Sequence, residues 1–429
     1  AVLHTVNAAV AATTAAFATP FAELAAATVA VSVTTNASAT GLKPASKIAA
    51  AVAVASSAVA ATNAAAVAAA AATAEVDRLN ARRVFIVASG TLCRETDEVD
   101  KIRHALGSRC AAVFDKMGAH VLRADVIAAT DAARKVQTDL ILTIGGGSPT
   151  DGAKAVVLCL ANNIKDAQEI DRLCGAAPDM AAPTVPQISI PTTLSAGEFS
   201  AITGVTNEAT GNKDILRHPG LMPRVVILDA EVARHTPEWL FLSTGVRAID
   251  HCVEGICSAE ANPFGDAQAL HGLQLLAHGL VGVKADSENI KARQDCLLGA
   301  WLSMGPLASG VPMGASHGIG YVLGAKYGIP HGHTSCLMLP AVMEWNASVN
   351  AARQSLVATA LGDGAARAAV LLDQLIAGLG LPRGLASVGI AREEFTTIAE
   401  ASLQTPWVPK NPRPIAGTQD VMQILDLAA

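Results

Sequence analysis

The sequence predicts two regions in tandem: an α/β domain with a parallel sheet and helices on both faces, and an all-helical domain. From Arg82 onward, short apolar segments rich in Val and Ile alternate with segments of helical spacing. After about Pro237 the strand-like segments stop and long helical patterns follow. Alternating strands and helices are typical of a parallel sheet, because each crossover helix packs on a sheet face.

The α/β domain is assigned to residues 81–236. Its predicted elements are a buried strand, a helix, a second strand, a second helix, and a strand that passes through a glycine turn into a helix. In chain order these are "RRVFIVAS" (82–89), "DEVDKIRHALGS" (97–108), "GAHVLRADV" (118–126), "ATDAARKVQT" (129–138) and "DLILTIGGGSPTDGAKAVV" (139–157).

The all-helical domain is assigned to residues 237–429, and we expect it to carry the reactive side chains. Its helical patterns break at "SAEANPFG", "YGIPHGHT" and "GLGLPRGL", each of which contains Gly and Pro. The stretch "GVRAIDHCVEG" (245–255) has apolar residues at helical spacing. Arg247 and His251 are four residues apart in it and therefore share one helix face.

Residues 1–80 form a low-complexity region dominated by Ala, Val and Thr, with no charged residue from Ile48 to Ala74. Either the chain is of low complexity here, or alanine stands in for side chains that were not identified. A membrane span is not expected, because the segment lacks the Leu, Ile and Phe that favour insertion. A secretory signal fits poorly, because no basic segment precedes a compact apolar stretch.

The bulk composition excludes some classes of function. The 429 residues carry a net charge of −6 and show no cluster of Lys and Arg, which argues against nucleic acid as a partner. The eight cysteines form no CxxC pair. This pattern predicts a reduced, cytoplasmic protein without a structural zinc ribbon.

A glycine turn, "GGGSPTDGAK" (145–154), follows the last predicted strand of the list above. Gly146 and Gly147 let the backbone approach an anion, and the next helix offers free N–H groups and the positive end of its dipole. Ser148 adds a hydroxyl donor, and Asp151 lies in the first helical turn. A bare glycine cluster is equally compatible with a tight strand-to-helix turn, but the Ser-Pro-x-Asp-x-x-Lys continuation is more specific.

This segment resembles the nucleotide-binding signature of the iron-containing (group III) alcohol dehydrogenases. That superfamily includes the maleylacetate reductases and shares the dehydroquinate synthase-like fold. The resemblance covers roughly residue 82 to the C-terminus, and it implies a dinucleotide whose pyrophosphate lies over Gly146, Gly147 and Ser148.

Three further segments are similar to the same family. In "IPTTLSAGEFSAITGVTN", Thr192 and Thr193 match cofactor-contacting threonines, and the compact loop to Glu198 is similar to the maleylacetate reductase form. Lys213 matches a lysine near the nicotinamide ribose. "NPRPI" (411–415) resembles a C-terminal stretch typical of maleylacetate reductases. The resemblance is therefore closest to those enzymes.

The histidines bear on metal binding. Metal-dependent members use one Asp and three His, and His251, His317 and His331 match the three histidines. The Asp position is Arg247, which remains charged and cannot donate a lone pair. Asp250 is about 100° further round the helix, so we expect it to point elsewhere. We therefore predict a site without a metal.

Arg247 allows two interpretations, and so does Tyr321. Beside the histidines, Arg247 would bind a substrate carboxylate in bidentate fashion; alternatively, it forms a buried ion pair with Glu254 or Asp250. Tyr321 stands where the family often has another His. It either donates a proton or orients a carbonyl, or it is a packed aromatic residue.

These features favour an NAD(P)H-dependent reductase of the maleylacetate reductase type, which transfers hydride to an oxo-acid or enone. Arg247, His251, His317, Tyr321 and His331 are its candidate catalytic residues. The alternative is a metal-dependent iron-type alcohol dehydrogenase acting on an alcohol or aldehyde. A lyase of the dehydroquinate synthase kind would need a zinc site and several substrate-binding Lys and Arg residues, and this sequence does not meet that requirement. A further alternative is a non-enzymatic scaffold, and failure to bind any dinucleotide would favour it.

The cofactor and partners are predicted only in part. Family members strict for NAD usually place Asp where this chain has Ser89, so nothing obvious repels a 2′-phosphate and NADPH is expected to be accepted as well as NADH. We expect a small-molecule substrate with a carboxylate and a homodimeric assembly, with no nucleic-acid or membrane partner.

Overall fold

The computed structural model describes residues 27–33, 57–63, 67–175 and 180–429. Much of the region predicted to be of low complexity lies outside these residues. Nine strands are described within them. They are β1 (Ala27–Val33), β2 (Ser57–Asn63), β3 (Val84–Ala88), β4 (Cys110–Phe114), β5 (Leu140–Gly145), β6 (Gln187–Pro191), β7 (Ile202–Thr206), β8 (Lys213–Arg217) and β9 (Val225–Leu228).

The main sheet has seven strands in the order β2-β1-β9-β6-β5-β3-β4. The five strands from β9 to β4 run parallel to their neighbours, whereas β1 pairs antiparallel with both β2 and β9. A separate antiparallel hairpin joins β7 and β8. The predicted parallel sheet is confirmed, with an antiparallel edge contributed by the N-terminal region.

Six helices lie in the first part of the chain. They are α1 (Val67–Arg78), α2 (Gly90–Glu95), α3 (Glu98–Leu106), α4 (Arg123–Lys135), α5 (Gly147–Ala161) and α6 (Ala230–Ala233). Helices α1 and α3 pack on one face of the sheet, and α4 and α5 pack on the other. The central strands are buried on both faces, which explains their nearly continuous apolar sequences.

One predicted strand is wrong. "GAHVLRADV" was expected to form the second strand of the sheet, but that strand is β4, at Cys110–Phe114. The predicted segment is a loop that runs into α4, and only Leu122 makes an isolated bridge, to Thr206. The alanines of "CAAVF" hide the strand, because their small side chains give a weak apolar signal next to Val121 and Leu122.

The rest of the chain is helical, as predicted. Its helices are α7 (Glu238–Cys257), α8 (Pro263–Ala285), α9 (Ile290–Ser303), α10 (Gly305–Ala308), α11 (Ala315–Tyr327), α12 (His331–Ala360), α13 (Ala368–Gly378), α14 (Phe395–Ser402) and α15 (Thr418–Leu427). Short 3₁₀ turns join several of them. Helix α12 is bent at Asn350, whose φ and ψ of −132° and 30° are not helical.

Helix α7 is the centre of the helical domain. It is buried from Phe241 to Cys257, apart from Thr244, and it packs against α8, α12 and α9. Its core also includes Leu194 and Val226 from the sheet domain, so one apolar cluster spans the two parts of the molecule. No helix in the described ranges combines the length and the apolar content needed to cross a bilayer.

Candidate active site

The glycine turn lies at the point where the strand order of the sheet reverses. Strands β3 and β5 are neighbours, and the chain leaves them toward opposite edges of the sheet. Open α/β sheets bind ligands in the crevice outside the carboxyl ends of two such strands. Ser89 follows β3, and its N–H donates to the Ile144 carbonyl of β5 over 2.9 Å. The predicted nucleotide residues therefore begin at the expected crevice.

The turn after β5 has no room for side chains. A Cβ atom on Gly146 would lie 3.0 Å from Cγ2 of Thr193, and one on Gly147 would lie 3.1 Å from Oγ of Ser195. The Thr192 N–H donates to the Gly145 carbonyl over 2.9 Å. The two segments predicted to contact the nucleotide are thus in direct contact with each other.

Helix α5 starts at this turn, and Ser148 is its second residue. No side chain in the described part of the chain caps its N-terminus. Free N–H groups at a helix end, next to glycines that admit close approach, fit a pyrophosphate. The residues present are therefore suited to hold a dinucleotide.

Asp151 lies in α5 beside a buried lysine. The Lys154 ammonium donates to the Ile202 carbonyl over 3.0 Å and to the Gly197 carbonyl, and it lies 3.5 Å from Oδ1 of Asp151. Burial lowers the pKa of Lys154, and it raises the pKa of neighbouring Glu198 to about 7. These polar groups fasten the loop after Thr193 to the nucleotide helix.

Lys213 lies between the nucleotide crevice and the helical domain. It starts β8, and its side chain crosses Gly204 of β7, where a Cβ atom would collide with it. Burial lowers the pKa of Lys213; the charge of Asp151 opposes this effect and that of Arg247 adds to it. The hairpin therefore places a cation between the two predicted parts of the site.

The three predicted histidines are carried by three different helices. His251 lies in α7, His317 is the third residue of α11, and His331 is the first residue of α12. The rings of His251 and His317 have centroids 4.9 Å apart. Burial lowers the pKa of His251 and His331 well below the usual histidine value. Both rings are therefore neutral near pH 7.

A carboxylate from α7 holds His317. Oε2 of Glu254 lies 2.7 Å from Nδ1 of His317, and the same carboxylate accepts backbone N–H groups of Gly314 and Ser316 over 2.9 and 2.8 Å. Nε2 of His317 is buried and has no hydrogen-bond partner in the described ranges. Burial lowers the pKa of His317 to about 3, and the Arg247 charge adds to this effect. Neutral His317 therefore carries its proton on Nδ1 and presents the lone pair of Nε2.

Arg247 forms the ion pair that one interpretation predicted. Nη1 of Arg247 lies 3.7 Å from Oδ2 of Asp250 and donates to Oγ of Ser335 over 3.1 Å. Asp250 was expected to point elsewhere, and this is wrong: its Oδ2 also lies 3.5 Å from Nδ1 of His317. Residues three apart are neighbours on a helix surface, so a 100° separation does not direct them to different surroundings.

Tyr321 belongs to an aromatic group at the edge of the histidine cluster. Its ring centroid lies 5.5 Å from that of His331 and 4.5 Å from that of Trp407. Burial raises the pKa of Tyr321, so the hydroxyl stays protonated at neutral pH. The tyrosine is therefore a packed aromatic residue whose hydroxyl can also donate a proton, so the two interpretations do not exclude each other.

Two sets of possible metal ligands occur among the described residues, and neither contains all three predicted histidines. The sets, each with three possible ligand atoms within 4.8 Å of one another, are Asp171–Cys174–Asp214 and Asp250–Glu254–His317. In the buried group, Asp250–Glu254–His317, both Glu254 oxygens already accept backbone N–H groups. Nδ1 of His317 is the ring nitrogen nearest the two carboxylates, and it is already in contact with Glu254. Arg247 contributes a positive charge where a cation would need an anionic ligand.

The sequence interpretation missed several residues of the site. Glu254 was considered only as a partner for Arg247, although its position one turn after His251 is a signal that it shares the buried face. Ser335 lies one turn after His331 in α12, and this spacing is the same kind of signal. Trp407 lies outside regular secondary structure, and no sequence pattern marks it.

Comparisons with known proteins agree with this arrangement. The sequence profile described as iron-containing alcohol dehydrogenase matches residues 61–230, and the profile of the C-terminal region of the Fe-containing alcohol dehydrogenase family matches residues 241–429. The chain therefore belongs to the iron-containing alcohol dehydrogenase family and is an oxidoreductase. Members of this family are NAD(P)-dependent.

Individual relatives place the chain near the maleylacetate reductases. It is 33% identical to the dehydrogenase FUM7 of Gibberella moniliformis, over 82% of this chain and 92% of that protein. It is 31% identical to maleylacetate reductase 1 of Rhodococcus opacus, over 81% and 89%. The crystal structure of maleylacetate reductase from Agrobacterium tumefaciens superposes with a TM-score of 0.71 and 26% identity, over 84% and 93%.

Proposed function

We propose that the protein is a metal-independent NAD(P)H-dependent reductase of the maleylacetate reductase type, acting on a small oxo-acid or enone that carries a carboxylate. The observation that supports this proposal most directly is Arg247, a buried guanidinium among three neutral histidines at the position where metal-dependent relatives have an anionic ligand. The named relatives include a maleylacetate reductase at 31% identity.

Arg247 is proposed to bind the substrate carboxylate. Its Nη1 faces Ser335 and Asp250, and these contacts hold the side chain in place. A guanidinium has five N–H donors, so the contacts of Nη1 leave donors for a ligand. A planar guanidinium binds a carboxylate through two parallel hydrogen bonds.

The other side chains are assigned to polarisation and proton transfer. The bound nicotinamide would supply the hydride. Tyr321 is the proton donor, because burial keeps its hydroxyl protonated. His317 accepts a hydrogen bond at Nε2, whereas His251 and His331 shape the pocket and offer neutral imidazole donors. Fixed donors in a buried site stabilise the negative charge that develops on a reduced oxo group.

The nucleotide is proposed to lie along Gly146, Gly147 and Ser148, with Thr192 and Thr193 beside it. Ser89 places no carboxylate at the crevice, so both NADH and NADPH are proposed as cofactors. Asp151 and Lys213 are assigned to the nicotinamide end of the crevice, because Lys213 lies toward the Arg247 side. A homodimer is proposed from the family resemblance.

Steady-state kinetics test the proposal. The protein should be expressed without added metal, treated with a strong chelator and assayed with NADH and NADPH on oxo-acids, enones, and neutral aldehydes of matched length. We expect full activity after chelation and a preference for the acidic substrates. Activity that is lost on chelation and restored by iron or zinc contradicts the proposal.

A metal-dependent alcohol dehydrogenase is the second candidate, and one observation favours it. A histidine whose Nδ1 binds a carboxylate and whose Nε2 is free has the arrangement common among metal-binding histidines. His317 has this arrangement. The same chelation assay separates the two candidates, and so does elemental analysis of the isolated protein.

A further inference from the structure

The N-terminus of α11 is held entirely by side chains from distant parts of the chain. Helix ends leave their first N–H groups without intrahelical partners. Here Gly314, Ser316 and His317 donate these groups to Glu254 over 2.9, 2.8 and 3.4 Å. The remaining one, from Ala315, donates to Oδ1 of Asn411 over 3.3 Å.

Glu254 makes a fourth contact that Asn411 does not make. Its Oε2 lies 2.7 Å from Nδ1 of His317. A carboxylate that already accepts backbone N–H groups is an acceptor, so the shared proton belongs to Nδ1. The lone pair of Nε2 then has to face away from Glu254, and Nε2 is buried with no partner among the residues described.

We propose that Glu254 is the positioning residue of this active site, because it sets both the place and the tautomer of His317. Glu254 acts through His317, since one buried carboxylate fixes both the position of the His317 ring and the nitrogen that carries its proton. The consequence for catalysis rests on the acceptor role proposed for His317 above, whereas the tautomer itself does not.

Asn411 completes the support and explains the "NPRPI" stretch. Its amide donates to Oδ1 of Asn346 in α12 and to the Arg413 carbonyl, each over 2.7 Å. Asn411 thus ties the C-terminal segment to α12 and to the start of α11. It has no contact with the His317 ring, so it shares only the capping function of Glu254.

This difference gives a matched pair of variants. In Glu254→Gln the shape is kept, but the amide nitrogen meets a helix N–H group at either position, because Oε1 accepts from Ser316 and Oε2 accepts from Gly314. Only the Oε2 position also offers the nitrogen an acceptor, Nδ1 of His317, so we expect the nitrogen there. Facing the ring, it donates to Nδ1, and the proton of the neutral imidazole moves to Nε2. Asn411→Ala removes a cap of the same helix and leaves the carboxylate in place.

The measurement is ¹⁵N NMR of histidine-labelled protein, with His317→Gln used to assign the His317 signal among the 11 histidines. We expect the parent and Asn411→Ala to have the proton on Nδ1, and Glu254→Gln to have it on Nε2. Both variants should lower the melting temperature. In Glu254→Gln, kcat should fall about 100-fold or more with the KM for NAD(P)H unchanged, since a wrong tautomer at a catalytic histidine costs up to about 10⁴-fold.

Two results would overturn the proposal. The first is a parent protein with the proton on Nε2, which needs no folded variant to be seen. The second is a folded Glu254→Gln protein that keeps the proton on Nδ1. A reversed tautomer with unchanged kcat supports the assignment of Glu254 and instead refutes the catalytic role proposed for His317.

Discussion

Replacing Arg247 with alanine should weaken the reduction of acidic substrates far more than that of neutral ones. The lost interaction is a charged hydrogen bond to a carboxylate, which contributes about 1.5–3 kcal/mol. At about 1.4 kcal/mol per factor of ten, kcat/KM for an oxo-acid should fall roughly 10- to 150-fold. The effect should fall mainly on KM if the carboxylate is bound equally in the ground and transition states.

The same substitution should also destabilise the protein. Asp250 lies 3.7 Å from Nη1 of Arg247 and is fully buried, and its Oδ1 has no hydrogen-bond partner within the described segments. Removing one partner of a buried ion pair costs about 3–5 kcal/mol. A loss of activity alone is therefore ambiguous, and the informative quantity is the ratio of kcat/KM for an oxo-acid to that for a neutral aldehyde.

Arg293 offers a matched control. It is also a buried arginine, it donates to the Ser287 and Ala233 carbonyls, and its guanidinium lies 4.7 Å from the ring centroid of Phe241. Arg293→Ala should lose stability and leave the ratio unchanged. If Arg247→Ala behaves like this control, so that both substrates suffer equally, Arg247 is a structural residue and the carboxylate assignment fails.

Three further outcomes are expected. Gly147→Val should abolish NAD(P)H binding in a fluorescence titration with the fold retained, because its side chain would occupy the position proposed for the pyrophosphate. Gly417→Val, which has open space, should bind normally. Arg247→Asp should gain affinity for zinc or iron by calorimetry, because it removes a positive charge and adds a carboxylate ligand; a folded variant with no gain would show that Arg247 is not what prevents metal binding. His317 has a pKa of about 3 in the folded protein, so below pH 6.5 only the unfolded state binds its proton. Its contribution should lower the free energy of unfolding by about 1.4 kcal/mol per pH unit as pH falls below 6.5. His317→Gln should reduce that slope in urea melts at pH 5 and 7.

Much of the fold was predictable because its signals are local. The glycine turn and the apolar strands β3 and β5 follow from periodicity and from residues that break helices. Strand β4 was misplaced because its alanines give little apolar contrast. The antiparallel pairing of β1 with β9 depends on contacts across nearly 200 residues of sequence, which no local pattern records.

The structure places several predicted residues of the candidate site close together, but the contacts that connect them were not predictable. The grouping of the three histidines was implied by the family resemblance, because their positions match the histidines of the metal-dependent members. The capping of α11 was not visible, because it joins Glu254 and Asn411 to a helix 60 and 96 residues away. The position of Asp250 was misjudged because a separation of about 100° on the helix was taken to mean different neighbours. The Arg247 side chain is long enough to reach Asp250 across that angle.

Charge balance gives a physical reason why the metal-dependent and arginine forms of one scaffold can both be stable. An aspartate and a divalent cation together contribute a net charge of about +1 to a buried site, and a single arginine contributes the same. Asp250 and Glu254 are buried beside Arg247, so its positive charge reduces the cost of burying these two acidic side chains. Exchanging a metal and its carboxylate for Arg247 keeps this balance but replaces an open coordination position by directional N–H donors. Such donors suit an anionic substrate group better than an alcohol oxygen, so an arginine at this position changes the class of substrate expected.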